Sequence, residues 1–216
     1  MENLLRAKES MVKIIDCAQG TDEWLNARLG IATASNFSKV VTNEGSKSKQ
    51  FNQYAFQLAS EIITEFQEES YSNAAMIRGN ELEPEARKEY QESTLSVVKQ
   101  TGFMLCDHYG YSPDGLIGDD GLIEIKCPSQ AIHAKYMFNN KLPAEYKAQV
   151  QGGLLVSARK WCDFVSYHPG FEYKYRLFVI RVYRDDEFIE KLEIALNQLD
   201  ELKRDIVSGI RNTILV

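Results

Sequence analysis

The sequence predicts an α/β domain, a mixed β-sheet flanked by helices, on three observations. A segment beginning at Phe51 and another reaching about Ile210 place apolar residues three and four positions apart, the spacing of helices with one buried face. Between them, from Leu95 onward, short strand-forming segments alternate with turn chemistry. The 216 residues, 44% hydrophobic and 26% charged, suffice for one core without disulfides or a structural metal. No repeat, low-complexity tract or Pro/Gly/Ser linker divides the chain. Residues 1–216 are therefore expected to form a single domain, with 1–10 as a loose leader.

Each element follows from local chemistry. Val12 to Ile15 is a short apolar strand, and TDEWLNARLG is a short helix with Thr21 as N-cap, Asp22 and Glu23 in its first turn and Gly30 as its stop. Thr33 to Ser35 offers hydroxyl caps for a second short helix. Thr42 to Lys49 is polar, partly basic and aperiodic, the pattern of a mobile loop. Phe51, Tyr54, Ala55, Leu58, Ala59, Ile62, Ile63 and Phe66 give the clearest helical face in the chain. A further helical stretch from about Asn73 to Ser93 is expected to kink or break near Gly79 and Pro84. LSVVKQ, FMLCDHYGYS and LIEIKC then read as strands of an antiparallel meander. Helices follow at about Ser129 to Asn139 and Pro143 to Ser157, then strands WCDFVSYH and YRLFVIRVY, then a terminal helix from about Asp186 to Ile210.

Composition narrows the function. Cys17, Cys106, Cys127 and Cys162 form no C-x-x-C pair, which argues against a zinc site, a redox dithiol or an iron-sulfur cluster. No apolar run approaches the eighteen or so residues of a membrane span, and the N-terminus lacks a signal peptide's apolar stretch. An intracellular, cytoplasmic protein is expected. The net charge of −6 excludes a generally basic surface, so any contact with nucleic acid must be local.

The chemistry concentrates in SPDGLIGDDGLIEIKCP. Asp114 lies in a turn, and nine residues separate it from Glu124. Glu124 and Lys126 straddle Ile125 on a strand, so both charged side chains face one side and Ile125 the other. Two carboxylates at neighbouring strand ends suit Mg²⁺, a hard cation that takes oxygen ligands and keeps several waters. Phosphodiester hydrolysis needs an activated water and a stabilised pentacovalent charge, and a metal beside an ammonium supplies both. Each half alone is ordinary: P-D-G is a common turn, and E-I-K fits any strand with a solvated face.

Asp114 with Glu124-Ile125-Lys126 resembles the P-D…(D/E)-x-K pattern of the restriction-endonuclease-like nucleases. TDEWLNARLGIATAS, RGNELEPEAR, SPDG with EIKCP, and AQVQG occur in the order and spacing of the viral recombination exonucleases typified by phage lambda exonuclease, the YqaJ family. The resemblance extends from about Ile15 to Tyr183. It implies a restriction-endonuclease-like core and a Mg²⁺-dependent 5′-to-3′ exonuclease acting on double-stranded DNA ends by a two-metal mechanism, releasing 5′ mononucleotides and leaving 3′ tails for recombination. Mg²⁺ is expected at two ions per site, with Mn²⁺ as a substitute. The partners implied are double-stranded DNA ends, a single-strand annealing recombinase and two further copies of the chain in a homotrimeric ring, with no membrane.

The resemblance also assigns residues. Asp114 and Glu124 look like the metal-binding carboxylates, with the Ile125 carbonyl as a further ligand. Lys126 looks like the residue that orients or deprotonates the attacking water. Glu83 is similar to the helical glutamate that helps hold a second ion, and Gln149 to the glutamine near the nucleophile, with Gln151 a weaker candidate. Arg28 resembles the arginine that grips the 5′-terminal phosphate, completed by Thr33, Ser35 and Ser112. A guanidinium binds phosphate bidentately, and hydroxyls and helix amides suit its remaining oxygens; a salt bridge to Asp22 or Glu23 is the ordinary alternative. Met76 falls where the family inserts an apolar wedge into the terminal base pair. His108, His133 and His168 read as surface or loop histidines, Trp24 and Trp161 as core anchors, and Lys47 and Lys49 as loop residues able to touch a DNA backbone. Two rival functions remain, an endonuclease of the same superfamily and a non-catalytic DNA-end-binding protein.

Overall fold

The computed structural model describes residues 12–67 and 74–213, with side chains from residue 77 onward in the second stretch. The leader, residues 1–10, lies outside the described residues, as does the Met76 side chain. The expected α/β class holds, but the strands divide between two sheets. In the first, β1 (Val12–Ile15) pairs antiparallel with β4 (Phe103–Cys106), which turns through Asp107 and His108 into β5 (Tyr109–Tyr111). The two-residue strand β2 (Ala32–Thr33) joins β5 in parallel. The second sheet has the order β3 (Val98–Lys99), β6 (Gly115–Ile117), β7 (Gly121–Lys126), β8 (Trp161–Tyr167) and β9 (Leu177–Tyr183).

The expected meander is thus corrected at two points. FMLCDHYGYS is two strands, because Asp107 turns the chain at φ 55°, in the left-handed region that aspartate tolerates. The resulting hairpin also leaves its sequence neighbours to pair with β1 and β2, a long-range choice that adjacency does not signal. The pairs β3–β6, β6–β7 and β8–β9 are antiparallel, but β7 and β8 are parallel. Parallel neighbours need a crossover. Here it carries two helices, α4 (Gln130–Asn139) and α5 (Lys147–Ser157).

β7 is the central strand, and its alternation is visible in its packing. Leu122 joins Cys162 and Phe164 in the larger core, which also receives α2 (Phe51–Thr64), with α1 (Asp22–Ala27) preceding it in the chain, and the terminal helix α6 (Asp186–Thr213). Ile123 and Ile125 face the other way, with Val165 and Tyr167, against Ala86 and Tyr90 of α3 (Ala74–Thr94). Contrary to expectation α3 runs unbroken through Gly79 and Pro84. Proline frees the carbonyl four residues earlier, here on Asn80, and both residues are exposed, so water can satisfy it. α5 lies against β5 and the short 3₁₀ helix Ala34–Lys39 because two glycines allow it. A Cβ on Gly152 would stand 2.2 Å from the Phe37 ring, and one on Gly153 2.8 Å from that of Tyr111. This close approach delivers Gln149 to the site described below.

Two readings of polar residues are corrected. His133 is fully buried: its Nδ1 lies 2.7 Å from Ser166 Oγ and its Nε2 2.9 Å from the Tyr175 carbonyl. His168 is also buried, 6.2 Å from His133 between ring centroids. Burial, the larger effect, holds both imidazoles below the ordinary 6.5, and for His168 the nearby Arg78 and His133 add to it. The folded state therefore resists protons that the unfolded chain accepts, and stability declines as pH falls below about 6.5. The raised Asp114 and Glu83 carboxyls act in the opposite direction, so the check is the difference in melting temperature between wild type and His133→Gln from pH 7.5 to 5, which should shift in favour of the variant as pH falls; a constant difference would contradict it. The tryptophans are only partly buried, and each stacks an arginine, Arg28 at 3.7 Å from the Trp24 ring and Arg181 at 3.6 Å from that of Trp161. In the basic loop, Val41 bridges Lys47, whose ammonium lies 3.8 Å from the Phe51 ring centroid, while Lys49 is exposed.

Candidate active site

The charged residues of β6, β7 and their connections converge as the strand spacing predicts. Glu124 is 1% exposed, a carboxylate set into the core from the central strand. Such a group must be hydrogen-bonded to be tolerated. Its Oε1 accepts from Lys126 Nζ at 2.6 Å and from Gln149 Nε2 at 2.5 Å, and its Oε2 accepts from the Tyr111 hydroxyl at 2.9 Å. Asp114, in the turn before β6, accepts the Ile125 N–H on Oδ2 at 2.6 Å, which ties the turn to the next strand. Its Oδ1 has no hydrogen-bond donor among the described residues.

Glu83 comes from α3, paired with Arg87 one turn later. Arg87 Nε also donates to the Asp114 carbonyl at 3.3 Å, so one guanidinium links helix and turn. Burial first, and then the neighbouring Glu124 and Glu83 carboxylates, push the Asp114 carboxyl well above its usual range. Glu83 is likewise raised, by burial against the opposing pull of Arg87, with Glu124 adding to the rise. For Lys126 burial favours the neutral amine, but Glu124 and Asp114 overcome it and hold the group as an ammonium.

A second cluster lies two residues upstream of Asp114. Ser112 Oγ accepts from Trp24 Nε1 at 2.8 Å, and the Arg28 guanidinium stacks on the same indole. Arg28 also reaches Thr33 Oγ1 at 3.5 Å, and Thr33 Oγ1 lies 3.3 Å from the exposed Ser35 hydroxyl. Arg28, Thr33, Ser35 and Ser112 are therefore brought together, and the described contacts of Arg28 are with Trp24 and Thr33 rather than with Asp22 or Glu23. Its Nε is buried without a partner, and its pKa is lowered to about 10, chiefly by burial, with Tyr54 and Glu61 opposing. A guanidinium nitrogen left without a partner has the chemistry to receive an anion.

Gln151 is not part of either cluster: it is buried and donates to the Tyr183 carbonyl at 2.9 Å while accepting from the Asp185 amide at 2.9 Å, a structural tie between α5 and the turn after β9. Sequence reasoning missed Tyr111 and Arg87. Tyr111 had one faint signal, its position three residues before Asp114. Arg87 had its spacing four residues after Glu83, which by itself reads as an ordinary helix pair.

A divalent cation fits this donor set. Burial and the Glu124 carboxylate raise the cost of charge on Asp114, which a cation relieves. Among the described residues no group of three or more His, Cys, Asp or Glu side chains is placed to hold a metal. Two carboxylates leave most of an octahedral shell to carbonyl and water, the pattern of Mg²⁺ rather than zinc.

The sequence pattern of the YqaJ-like viral recombinase domain matches residues 23–160, which contain every side chain of both clusters. The chain belongs to the YqaJ-like viral recombinase family. The chain is similar to an alkaline exonuclease, LHK-Exo, from Laribacter hongkongensis: 36% identity, TM-score 0.83, covering 89% of this chain and 97% of that one. A structure of LHK-Exo in complex with dAMP superposes with a TM-score of 0.82 at the same identity. A phage-related exonuclease from Haemophilus somnus 129PT, 16% identical, shares the fold over 83% of this chain and 96% of that one with a TM-score of 0.68. No curated protein matches the chain. Among the described residues no helix is long and apolar enough to cross a membrane.

Proposed function

We propose that this YqaJ-like protein is a metal-dependent 5′-to-3′ exonuclease acting on the ends of double-stranded DNA, releasing 5′ mononucleotides and leaving 3′ single-stranded tails. The observation that carries the reading is the adjacency of the two clusters: Ser112, tied through Trp24 to Arg28, stands two residues from Asp114. An enzyme that seats a terminal phosphate beside its catalytic carboxylates cuts at a fixed distance from the end. The family membership and the dAMP complex of LHK-Exo, a mononucleotide complex, support the same reading.

The residues divide the work. Arg28, Thr33, Ser35 and Ser112 bind the 5′ phosphate and set the register. Asp114 and Glu124 hold Mg²⁺ or Mn²⁺ with the Ile125 carbonyl, and Glu83 helps hold a second ion. When bound, the metal polarises the scissile phosphate and acidifies water. Lys126, held beside Glu124 by a 2.6 Å hydrogen bond, orients or deprotonates the attacking water and stabilises charge on the phosphoryl group. Gln149, donating to Glu124, is placed at the same carboxylate to orient the nucleophile. Met76 on α3 is the proposed wedge. The proposal extends to a homotrimeric ring, whose lined channel would let a chain of net charge −6 hold a polyanion, and to a single-strand annealing recombinase as partner for the tail.

The test is a linear duplex with a 5′ phosphate on one strand and a 5′ hydroxyl on the other, incubated with Mg²⁺ or EDTA. Loss of the phosphorylated strand alone, only with metal, is the expected outcome, and Arg28→Ala should reduce the preference about tenfold or more. Internal fragments from both strands would point to an endonuclease, and binding without cleavage to an end-binding protein.

A further inference from the structure

Arg28 lies at the end of a turn that two buried charges hold from opposite sides. Gly30, two residues later, has φ +66°, and a Cβ there would stand 2.4 Å from Ile62 Cγ1, so the turn is closely packed onto α2. The Gly30 amide donates to Glu61 Oε2 at 3.0 Å, and the Gly30 carbonyl accepts from Lys203 Nζ at 3.0 Å. Glu61 is 4% exposed and Lys203 6%. Glu61 receives a second hydrogen bond from Gln57, and Lys203 pairs with Asp200 at 2.7 Å. They come from α2 and α6, which pack against each other although about 140 residues of chain lie between them.

Burying an ammonium and a carboxylate is costly, and neither is needed to close an apolar helix pair. Both are spent on one residue's peptide groups. That residue follows Arg28 and precedes Thr33, the two ends of the anion subsite. Glu61 also faces Arg28 electrostatically, opposing the lowering of its pKa.

We infer that Glu61 and Lys203 are positioning residues for the 5′-phosphate subsite: by clamping both sides of Gly30 they hold the Arg28 guanidinium where a terminal phosphate docks, and so set the enzyme's preference for phosphorylated ends. The inference rests on the proposed end-recognition reading. Neither residue touches DNA or the reacting atoms in this assignment. Sequence alone gives them no such role, since each reads as a polar position on an amphipathic helix.

The experiment compares kcat and KM of wild type, Lys203→Met, Lys203→Arg and Glu61→Gln on duplexes with 5′-phosphoryl and 5′-hydroxyl ends, with melting temperatures recorded for each. Lys203→Met is expected to lower the phosphoryl-over-hydroxyl ratio of kcat/KM about tenfold through KM, the size of effect a small misplacement of a binding group gives. Hydroxyl-end cleavage stays at the wild-type rate, and Lys203→Arg recovers most of the ratio. A purely structural role would lower both substrates together, and that result overturns the inference, as does an unchanged ratio. Trp24 emission provides a readout independent of cleavage, because Arg28 stacks on its ring. In a Trp161→Phe background, titration with a 5′-phosphorylated duplex in EDTA should change the emission less when Lys203 is Met. A wild-type enzyme with no end preference and no phosphate-dependent emission change removes the end-recognition reading and this inference with it; a preference that survives in Lys203→Met removes the inference alone.

Discussion

Lys126→Ala is expected to lower cleavage by roughly 10³-fold while leaving duplex-end affinity within a few-fold of wild type, since an oriented ammonium next to a metal contributes on that scale. The geometry gives Lys126 one hydrogen-bond partner, Glu124, and no part in the Arg28 cluster. Its loss therefore removes the charge that meets the developing phosphorane without touching the end pocket. Glu124 would keep Tyr111 and Gln149 as donors. The Lys126 side chain is 25% exposed, so the stability cost of the broken pair is discounted to about 1–2 kcal/mol. Single-turnover cleavage and equilibrium binding in Ca²⁺ separate the two effects. Cleavage at a near wild-type rate would remove Lys126 from the mechanism.

Asp114→Asn is the second large effect, and it should move activity and stability in opposite directions. Without metal, burial and the Glu124 and Glu83 carboxylates oppose a charge on Asp114, so its carboxyl is raised and ionising it costs stability in the fold. A raised carboxyl costs stability progressively as pH rises from the unfolded value of 3.8 through its folded value, and the full cost stands above the latter. Asparagine removes the charge and keeps an oxygen for the Ile125 amide. In EDTA the variant should melt about 2–4 °C higher than wild type, the shift that ~1 kcal/mol produces at this chain length. It should bind Mn²⁺ at least tenfold more weakly and cut at least 10²-fold more slowly. A melting temperature that falls in EDTA would show that Asp114 is a structural carboxylate rather than a site strained in favour of a cation.

The convergence of Asp114, Glu124 and Lys126 was legible because the three are local. Asp114, Glu124 and Lys126 lie within thirteen consecutive residues, where turn chemistry and strand alternation dictate which side chains share a face. The Arg28 cluster was legible through the family resemblance, and physical reasoning on its own left a salt bridge open. What escaped was long-range. His133 meets Ser166 and Tyr175 33 and 42 residues away, and no local pattern distinguishes such a histidine from a surface one. The division into two sheets depends on β1 finding β4 across nearly ninety residues. Pro84 misled in the opposite direction: a local rule predicted a break, and an exposed carbonyl together with the packing of Ala86 and Tyr90 overrode it.

The parallel pairing of β7 and β8 has a consequence for how the enzyme matures. Asp114 and Glu124 meet through the β6–β7 hairpin, an early and local event in folding. Gln149 arrives only on the crossover between β7 and β8, and Glu83 only when α3 docks on the opposite face. The centre is therefore completed by the contacts with the longest loops to close, which form slowly. A partly folded chain that already possesses the carboxylate hairpin lacks the groups that make it a nuclease. Hydrolytic capacity toward DNA is thereby withheld until the tertiary structure is finished.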